Sequence, residues 1–325
     1  MKKILYLGKY NGIIGGIERY MQNSAVLLRK NGCAVHYLYA ENGGRDQEKF
    51  AQSFDSITEF SPDNDLIASA DMIIIHNIIP PELLPGLPEK KTFFFAHDHN
   101  IYCQRHHYYW PVGRINCHRK YNKFICKVCS LGRNPAPPLA EYRKLPALVL
   151  SDFMKENLLK NGFEKVFKLP AFIRTAAGER NFMPDGVLRI LFLGQLIRGK
   201  GADLMLKTLA RLDIPFSCTI AGDGKDRAML EKMVEKFKLR DKVHFAGFVS
   251  DPEKLWANCD VFFFPIRWQE PFGLVALEAM AHGVPVAAFD LGGVSLTSVT
   301  RSRRRRQEIF SHFVFSAPIP RQSVN

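Results

Sequence analysis

Leu188-Arg189-Ile190-Leu191-Phe192-Leu193, then Gly194-Gln195-Leu196-Ile197-Arg198-Gly199-Lys200-Gly201, then Ala202 to Arg211, then Phe216-Ser217-Cys218-Thr219-Ile220-Ala221, reads as strand, loop, helix, strand. Continuously apolar short runs suit strands covered on both faces, and a helix between two of them is a βαβ unit. The alternation continues downstream. Asp226–Lys238, Pro252–Ala257 and Phe272–Ala281 read as helices, and Val243–Phe245, Val261–Phe264 and Val284–Ala288 as strands. Upstream, Pro170 to Pro184 breaks the pattern, but an earlier set precedes it. Ile4–Leu7, Ala34–Ala40, Met72–Ile75, Thr92–Ala96 and Ala147–Leu150 read as strands, and Ile17–Lys30 as a helix that stops near Gly32.

The fold class expected is therefore α/β, with two Rossmann-like domains facing a cleft. Residues 1–170 form the first domain, 171–185 a linker and 186–295 the second domain. A ligand is expected in the cleft, at the carboxyl ends of the strands. Beyond Gly293 the alternation stops, so the second domain reads as incomplete. Residues 296–325 read as a disordered Arg-rich tail.

At 325 residues, 46% hydrophobic and 24% charged, the chain is ordinary for a globular protein, which excludes a disordered, collagenous or coiled-coil chain. No apolar run reaches the ~18–20 residues of a membrane helix. Met1 to Gly8 lacks a signal-peptide pattern. The expectation is a cytoplasmic protein, with the inner membrane surface as an alternative. The net charge of +13 comes from two places: residues 99–145 hold nine Lys or Arg against one acid, and residues 296–325 six Arg against one Glu. A nucleic-acid binder basic throughout does not fit the neutral remainder, and no specific nucleic-acid partner is expected.

The basic insertion at about 99–145 also holds Cys103, Cys117, Cys126 and Cys129. Cys-x-x-Cys is a good half-site for zinc, and the other two thiols complete a tetrahedral set. Structural zinc is the first reading, with free thiols, disulfides or an iron–sulfur cluster as alternatives. Tyr108-Tyr109-Trp110 and the cations suit an acceptor bearing sugar rings and phosphates, or a solvated surface loop.

Three further places carry chemistry. Gly12, Gly15 and Gly16 sit between the first strand and helix, where a backbone can approach a phosphate. Neither Gly-x-Gly-x-x-Gly nor a P-loop is present. Arg198 and Lys200 occupy the equivalent loop of the second domain and can clamp a diphosphate. Glu270 and Glu278 straddle a loop-to-helix boundary. A carboxylate on so apolar a helix needs a partner, and a pair of ribose hydroxyls suits one.

Gly15-Gly16-Ile17-Glu18, Gly194…Lys200-Gly201, Ala221-Gly222-Asp223-Gly224, Val243-His244-Phe245-Ala246-Gly247 and Glu270-Pro271-Phe272-Gly273-Leu274…Glu278, ending at Gly283-Val284-Pro285-Val286, resemble the motifs of family 4 (group 1) GT-B glycosyltransferases. The resemblance implies a retaining transferase that moves a sugar from a nucleotide-diphosphate donor to a saccharide or lipid-linked acceptor, with no cofactor for the chemistry. It implies that Lys200, with Arg198, binds the donor diphosphate, that Glu278 holds the ribose and that Glu270 lies beside the donor sugar. Phe272, Gly273 and Leu274 would offer amides to the phosphates, and Gly16 would approach them from the other domain. Gly247, Phe248 and Val249 would border the base, and His97 would contact the donor sugar. Peripheral membrane contact is a further partner expectation.

Two positions depart from the family pattern. Gln195 stands where the family often has Arg. After Ser295 the family has a Glu and further βα units, where this chain has Leu296 and the Arg-rich segment. A catalytically inactive, truncated or frame-shifted remnant is the alternative reading, and a nucleic-acid-binding protein the third.

Overall fold

The computed structural model describes residues 1–76, 78–110, 115–132, 134–172, 185–296 and 313–316. The chain divides into two compact units, Met1–Ile173 and Arg174–Asn325.

The first unit is built on β1 (Lys3–Tyr10), β2 (Ala34–Glu41), β3 (Ser56–Glu59), β4 (Met72–His76) and β5 (Thr92–Phe95). A two-stranded hairpin, β6 (Tyr109–Trp110) and β7 (Ile115–Asn116), projects from the insertion, and β8 (Ala147–Val149) and β9 (Val166–Lys168) complete the set. The seven-stranded sheet runs β3-β2-β1-β4-β5-β8-β9 and is parallel throughout. Leu5, Leu7, Ile73 and Ile75 are fully buried, as a sheet covered on both faces requires. Strand order reverses between β1 and β4, and in such sheets that switch point is where ligands bind. The helix Gly16–Lys30 starts there.

The second unit holds β10 (Leu188–Leu193), β11 (Phe216–Ala221), β12 (Val243–Gly247), β13 (Val261–Phe264), β14 (Val286–Phe289) and β15 (Phe313–Ser316). The order is β12-β11-β10-β13-β14-β15, so the switch point lies between β10 and β13. Phe192, Phe262, Phe264 and Trp256 are fully buried, each contributing on the order of 1.5–3 kcal/mol of hydrophobic stabilisation. Among the described residues no helix is long and apolar enough to cross a membrane.

Three expectations are corrected. The helix expected from Phe272 starts at Leu274, because Gly273 takes a left-handed cap conformation, φ 88°. The last expected strand runs Val286–Phe289 rather than from Val284. The 296–325 segment is not wholly without regular structure: Phe313–Ser316 pairs antiparallel with Val286–Phe289 at the sheet edge. The rest of the Arg-rich segment, including Arg303–Arg306, lies outside the described residues, as does most of the 171–185 linker.

Gly201 follows the 3-10 turn Arg198–Lys200 at φ 78° and caps the helix Ala202–Leu209. A β-carbon there would stand 1.7 Å from the carbonyl oxygen of Pro265, which ends β13's exit. Both the backbone conformation and the contact oppose any side chain. Gly201→Ala is expected to lower unfolding stability by about 2 kcal/mol or more, read from the urea midpoint. An unchanged midpoint would show that the two loops separate at little cost.

Candidate functional site

Each unit gathers its unusual polar residues at the carboxyl ends of its parallel strands. In the second unit the loops after β10 and β13 meet. Lys200 Nζ lies 2.9 Å from Glu270 Oε2. The same oxygen accepts the indole N–H of Trp268 at 3.1 Å. Lys200 Nζ also stands 5.4 Å from the centroid of Trp268 and 5.8 Å from that of Phe264, within cation–π range. Gly199 lets the indole lie against the loop, since a β-carbon there would fall 1.8 Å from the ring. Lys200 and Glu270 are therefore brought together from 70 residues apart, in a half-buried ion pair.

Arg267, which the sequence reading missed, organises this pair. Its guanidinium makes a two-pronged contact with Asp203 at the start of the helix Ala202–Leu209. It also donates to the carbonyl of Arg198 at 2.7 Å, while the Arg267 N–H reaches the carbonyl of Gly199 at 2.8 Å. A fork of donors on a planar carboxylate fixes geometry as well as charge. The signal available in sequence was a cation three residues before Glu270, beside a Trp. Arg198, by contrast, has an exposed side chain, and its backbone carbonyl accepts from Arg267.

The other expected residues line the same end of the sheet. Gly247 terminates β12 at φ 68°, and its carbonyl accepts the Gly222 N–H at 2.6 Å. Phe248 is exposed, whereas Val249 packs on the core. Phe272 and Gly273 lead into the helix Leu274–Ala281. Because that helix begins at Leu274, Glu278 stands about one turn in rather than two. It is half-buried there, and its carbonyl accepts His282 Nδ1 at 2.8 Å.

In the first unit, His97 follows β5 and lies flat against Phe95, with ring centroids 4.2 Å apart. Its Nε2 is 2.8 Å from His76 Nδ1 at the end of β4. His76 is buried, and its Nε2 meets no hydrogen-bond partner among the described residues. A buried N–H without an acceptor is the rarer orphan, so the lone pair is assigned to that nitrogen. His76 Nδ1–H then donates to His97 Nε2, and His97 carries its own proton on Nδ1. Sequence reasoning singled out His97 but not its partner.

Two carboxylates accompany this pair. Glu18 is buried, and its Oε2 accepts the Gly15 N–H at 2.9 Å; burial pushes its carboxyl up, against backbone hydrogen bonds that pull it down. Asp98 is pushed up to about 6 by burial, opposed by the Asn100 N–H and reinforced by Glu18. Gly15 and Gly16 have open space where β-carbons would project. Neither packing nor a left-handed backbone calls for glycine at Gly16.

The four cysteines stay in one neighbourhood: Cys117 interacts electrostatically with both Cys103 and Cys129, and Cys126 with Cys129. Among the described residues, no three His, Cys, Asp or Glu side chains are grouped as one metal ion needs. Cys103 and Cys117 turn inward onto the core, and Cys103 Sγ accepts the Tyr108 N–H at 3.3 Å. Cys126 and Cys129 are the half-buried residues of the helix Lys123–Cys129, whose other residues are exposed. None of the four is in a disulfide, and burial pushes the thiols of Cys103 and Cys129 up. A zinc ion would have to draw the thiols closer than they stand here.

The titrations of His97 and Asp98 oppose one another. Burial lowers His97 from 6.5 to about 3, so the stability it supplies is full above 6.5 and is lost as pH falls towards 3. Asp98 is raised from 3.8 to about 6, so its contribution is full below 3.8 and is lost as pH rises through 6. The His76 and His97 ring resonances are expected to stay unshifted between about pH 5 and 8, the window in which an ordinary histidine titrates. An NMR titration with a midpoint near 6.5 for either ring would refute this burial.

Residues 175–299 match the family model described as "Glycosyl transferases group 1". An O-antigen biosynthesis glycosyltransferase, WclY, of Escherichia coli is 33% identical over 132 residues, 41% of this chain and 36% of that protein. An uncharacterized glycosyltransferase, YqgM, of Bacillus subtilis is 30% identical over 178 residues, 51% of this chain and 49% of that one. The chain thus spans about a third to a half of the length of these curated relatives. Among solved structures, the Anabaena protein Alr3699/HepE in complex with UDP and glucose superposes with a TM-score of 0.65 at 17% identity, covering 93% of this chain and 84% of that one. At that identity the likeness concerns the fold, which is GT-B.

Proposed function

We propose, on the premise that residues 175–299 belong to the group 1 glycosyl transferases and that the chain has the GT-B fold, that this protein is a retaining glycosyltransferase. It takes a nucleotide-diphosphate sugar as donor and a saccharide or lipid-linked saccharide as acceptor. The observation that carries this reading is the Lys200–Glu270 pair at 2.9 Å, held at the ends of parallel strands beside the start of the helix Leu274–Ala281.

In the reaction, the bond from the sugar's anomeric carbon to the diphosphate oxygen breaks and its electron pair leaves with the phosphate. The acceptor oxygen bonds to that carbon on the same face, and its proton passes to the departing phosphate. Lys200 stabilises the charge that builds on the leaving group, and the amides of Phe272, Gly273 and Leu274 add to it. One well-placed donor of this kind is worth about 3 kcal/mol in the transition state. Arg267 and Asp203 keep Lys200's loop in register. Glu278 accepts the ribose hydroxyls, Glu270 a sugar hydroxyl once Lys200 turns to phosphate, and Gly247, Phe248 and Val249 border the base. His97 offers Nδ1–H to a sugar oxygen as a neutral donor.

The structural relative bound to UDP makes UDP the first probe. UDP is expected to raise the melting temperature, because a ligand that binds only the folded chain stabilises it. Glu278→Ala is expected to weaken UDP binding at least tenfold, at roughly 1.5–3 kcal/mol per hydrogen bond to a charged group. Lys200→Met is expected to cut sugar transfer by about 100-fold at saturating donor. If no nucleoside diphosphate shifts the melting temperature, or Glu278→Ala leaves affinity unchanged, the donor-site reading fails.

A further inference from the structure

Two donors converge on one oxygen of Glu270. Lys200 Nζ lies 2.9 Å from Oε2, and the indole N–H of Trp268 reaches the same atom at 3.1 Å. A buried indole N–H ordinarily finds an acceptor, and a backbone carbonyl would serve. Here the acceptor is instead a carboxylate that already holds a cation.

The two donors differ in their freedom. Lys200 carries a compact charge on a flexible stem. Its ammonium stands near the faces of both Trp268 and Phe264, an attraction that survives a shift along the rings. The indole has no such latitude. Trp268 is 9% exposed, and its ring lies where a β-carbon on Gly199 would fall 1.8 Å from it. The residue before it is tied to the same loop, through the Arg267 N–H and the Gly199 carbonyl at 2.8 Å. The indole is also neutral, so an arriving phosphate draws on the ammonium far more than on the indole N–H.

The departure of Lys200 has a cost at Glu270. That side chain is only 16% exposed, and a carboxylate so placed is expensive to leave without donors. An N–H wedged against Oε2 keeps one charge-assisted hydrogen bond in place and holds the carboxylate where it is. We propose that Trp268 is a positioning residue, which holds Glu270 while Lys200 passes from that carboxylate to the donor diphosphate. The passage of Lys200 rests on the donor-site reading; the contact between indole and carboxylate does not.

The test is the affinity of the full chain for UDP, measured by isothermal titration calorimetry. Trp268→Phe keeps an aromatic ring beside Gly199 and Lys200 and removes the N–H. It is expected to weaken UDP binding by about tenfold, the lower end of what a hydrogen bond to a charged group is worth. In Glu270→Gln the side chain is neutral and needs no such support. Adding Trp268→Phe to Glu270→Gln is therefore expected to change UDP affinity by about twofold at most. A tryptophan that only fills space would cost the same in both backgrounds. A second measurement needs no change at Trp268 and no ligand. Of the chain's three indole N–H proton resonances, that of Trp268 is expected to shift upfield in Glu270→Gln, because it loses a carboxylate acceptor. Unchanged UDP affinity in Trp268→Phe, equal losses in the two backgrounds, or indole resonances indifferent to Glu270→Gln overturns the proposal. A wild-type chain that binds no UDP, with an indole resonance that still responds to Glu270→Gln, overturns the donor-site reading and the passage of Lys200 with it.

Discussion

The second unit depends on what surrounds one residue, Glu270. Its carbonyl accepts the Gly293 N–H at 2.6 Å, and it bridges Gly292 in parallel. A β-carbon at Gly293 would fall 2.1 Å from the carbonyl oxygen of Pro271, so the loops after β13 and β14 touch backbone to backbone. Its carboxylate holds Lys200 and Trp268, and so the loop after β10. Three strand ends are tied through one residue, part by main chain and part by charge. A carboxylate so placed is pre-positioned by the packing of the sheet rather than by its own rotamer freedom.

The parallel sheets were legible because their central strands are continuously apolar, and Leu188–Leu193 is found as read. What was missed follows from a physical cause in each case. Ser56–Glu59 and Val166–Lys168 are short outer strands with exposed residues, so they carry no buried run to read. The start of the helix Leu274–Ala281 was misplaced because apolar spacing does not reveal which glycine turns left-handed. Lys200 and Glu270 were each singled out from the sequence, and their pairing with each other was not. Arg267, Asp203 and His76 were invisible because a positioning residue has meaning only through a partner distant in sequence. The cysteine spacing suggested a single tetrahedral set; the fold does bring Cys117 near both Cys103 and Cys129, but spacing does not report how far apart the thiols stand.

The first unit puts its functional candidates under a different constraint, low solvation. Glu18, His76, His97 and Asp98 all have their charged forms disfavoured by burial. Such a cluster gives direction rather than net charge: a neutral imidazole N–H, backbone N–H groups held by Glu18, and empty space above Gly15 and Gly16. Groups of this kind recognise hydroxyls by geometry and are little affected by salt.

The self-neutralised pair in the second unit has a consequence for discrimination among anions. With Lys200 already satisfied by Glu270, a lone phosphate entering from solvent must take the cation from its carboxylate and leave that half-buried anion uncompensated. A ligand that brings a phosphate for Lys200 and, on the same molecule, a hydroxyl for Glu270 compensates both ends. On the proposed donor reading the pair would act as a threshold: inorganic phosphate would gain little by entering, whereas a sugar attached to a diphosphate would compensate both of its ends.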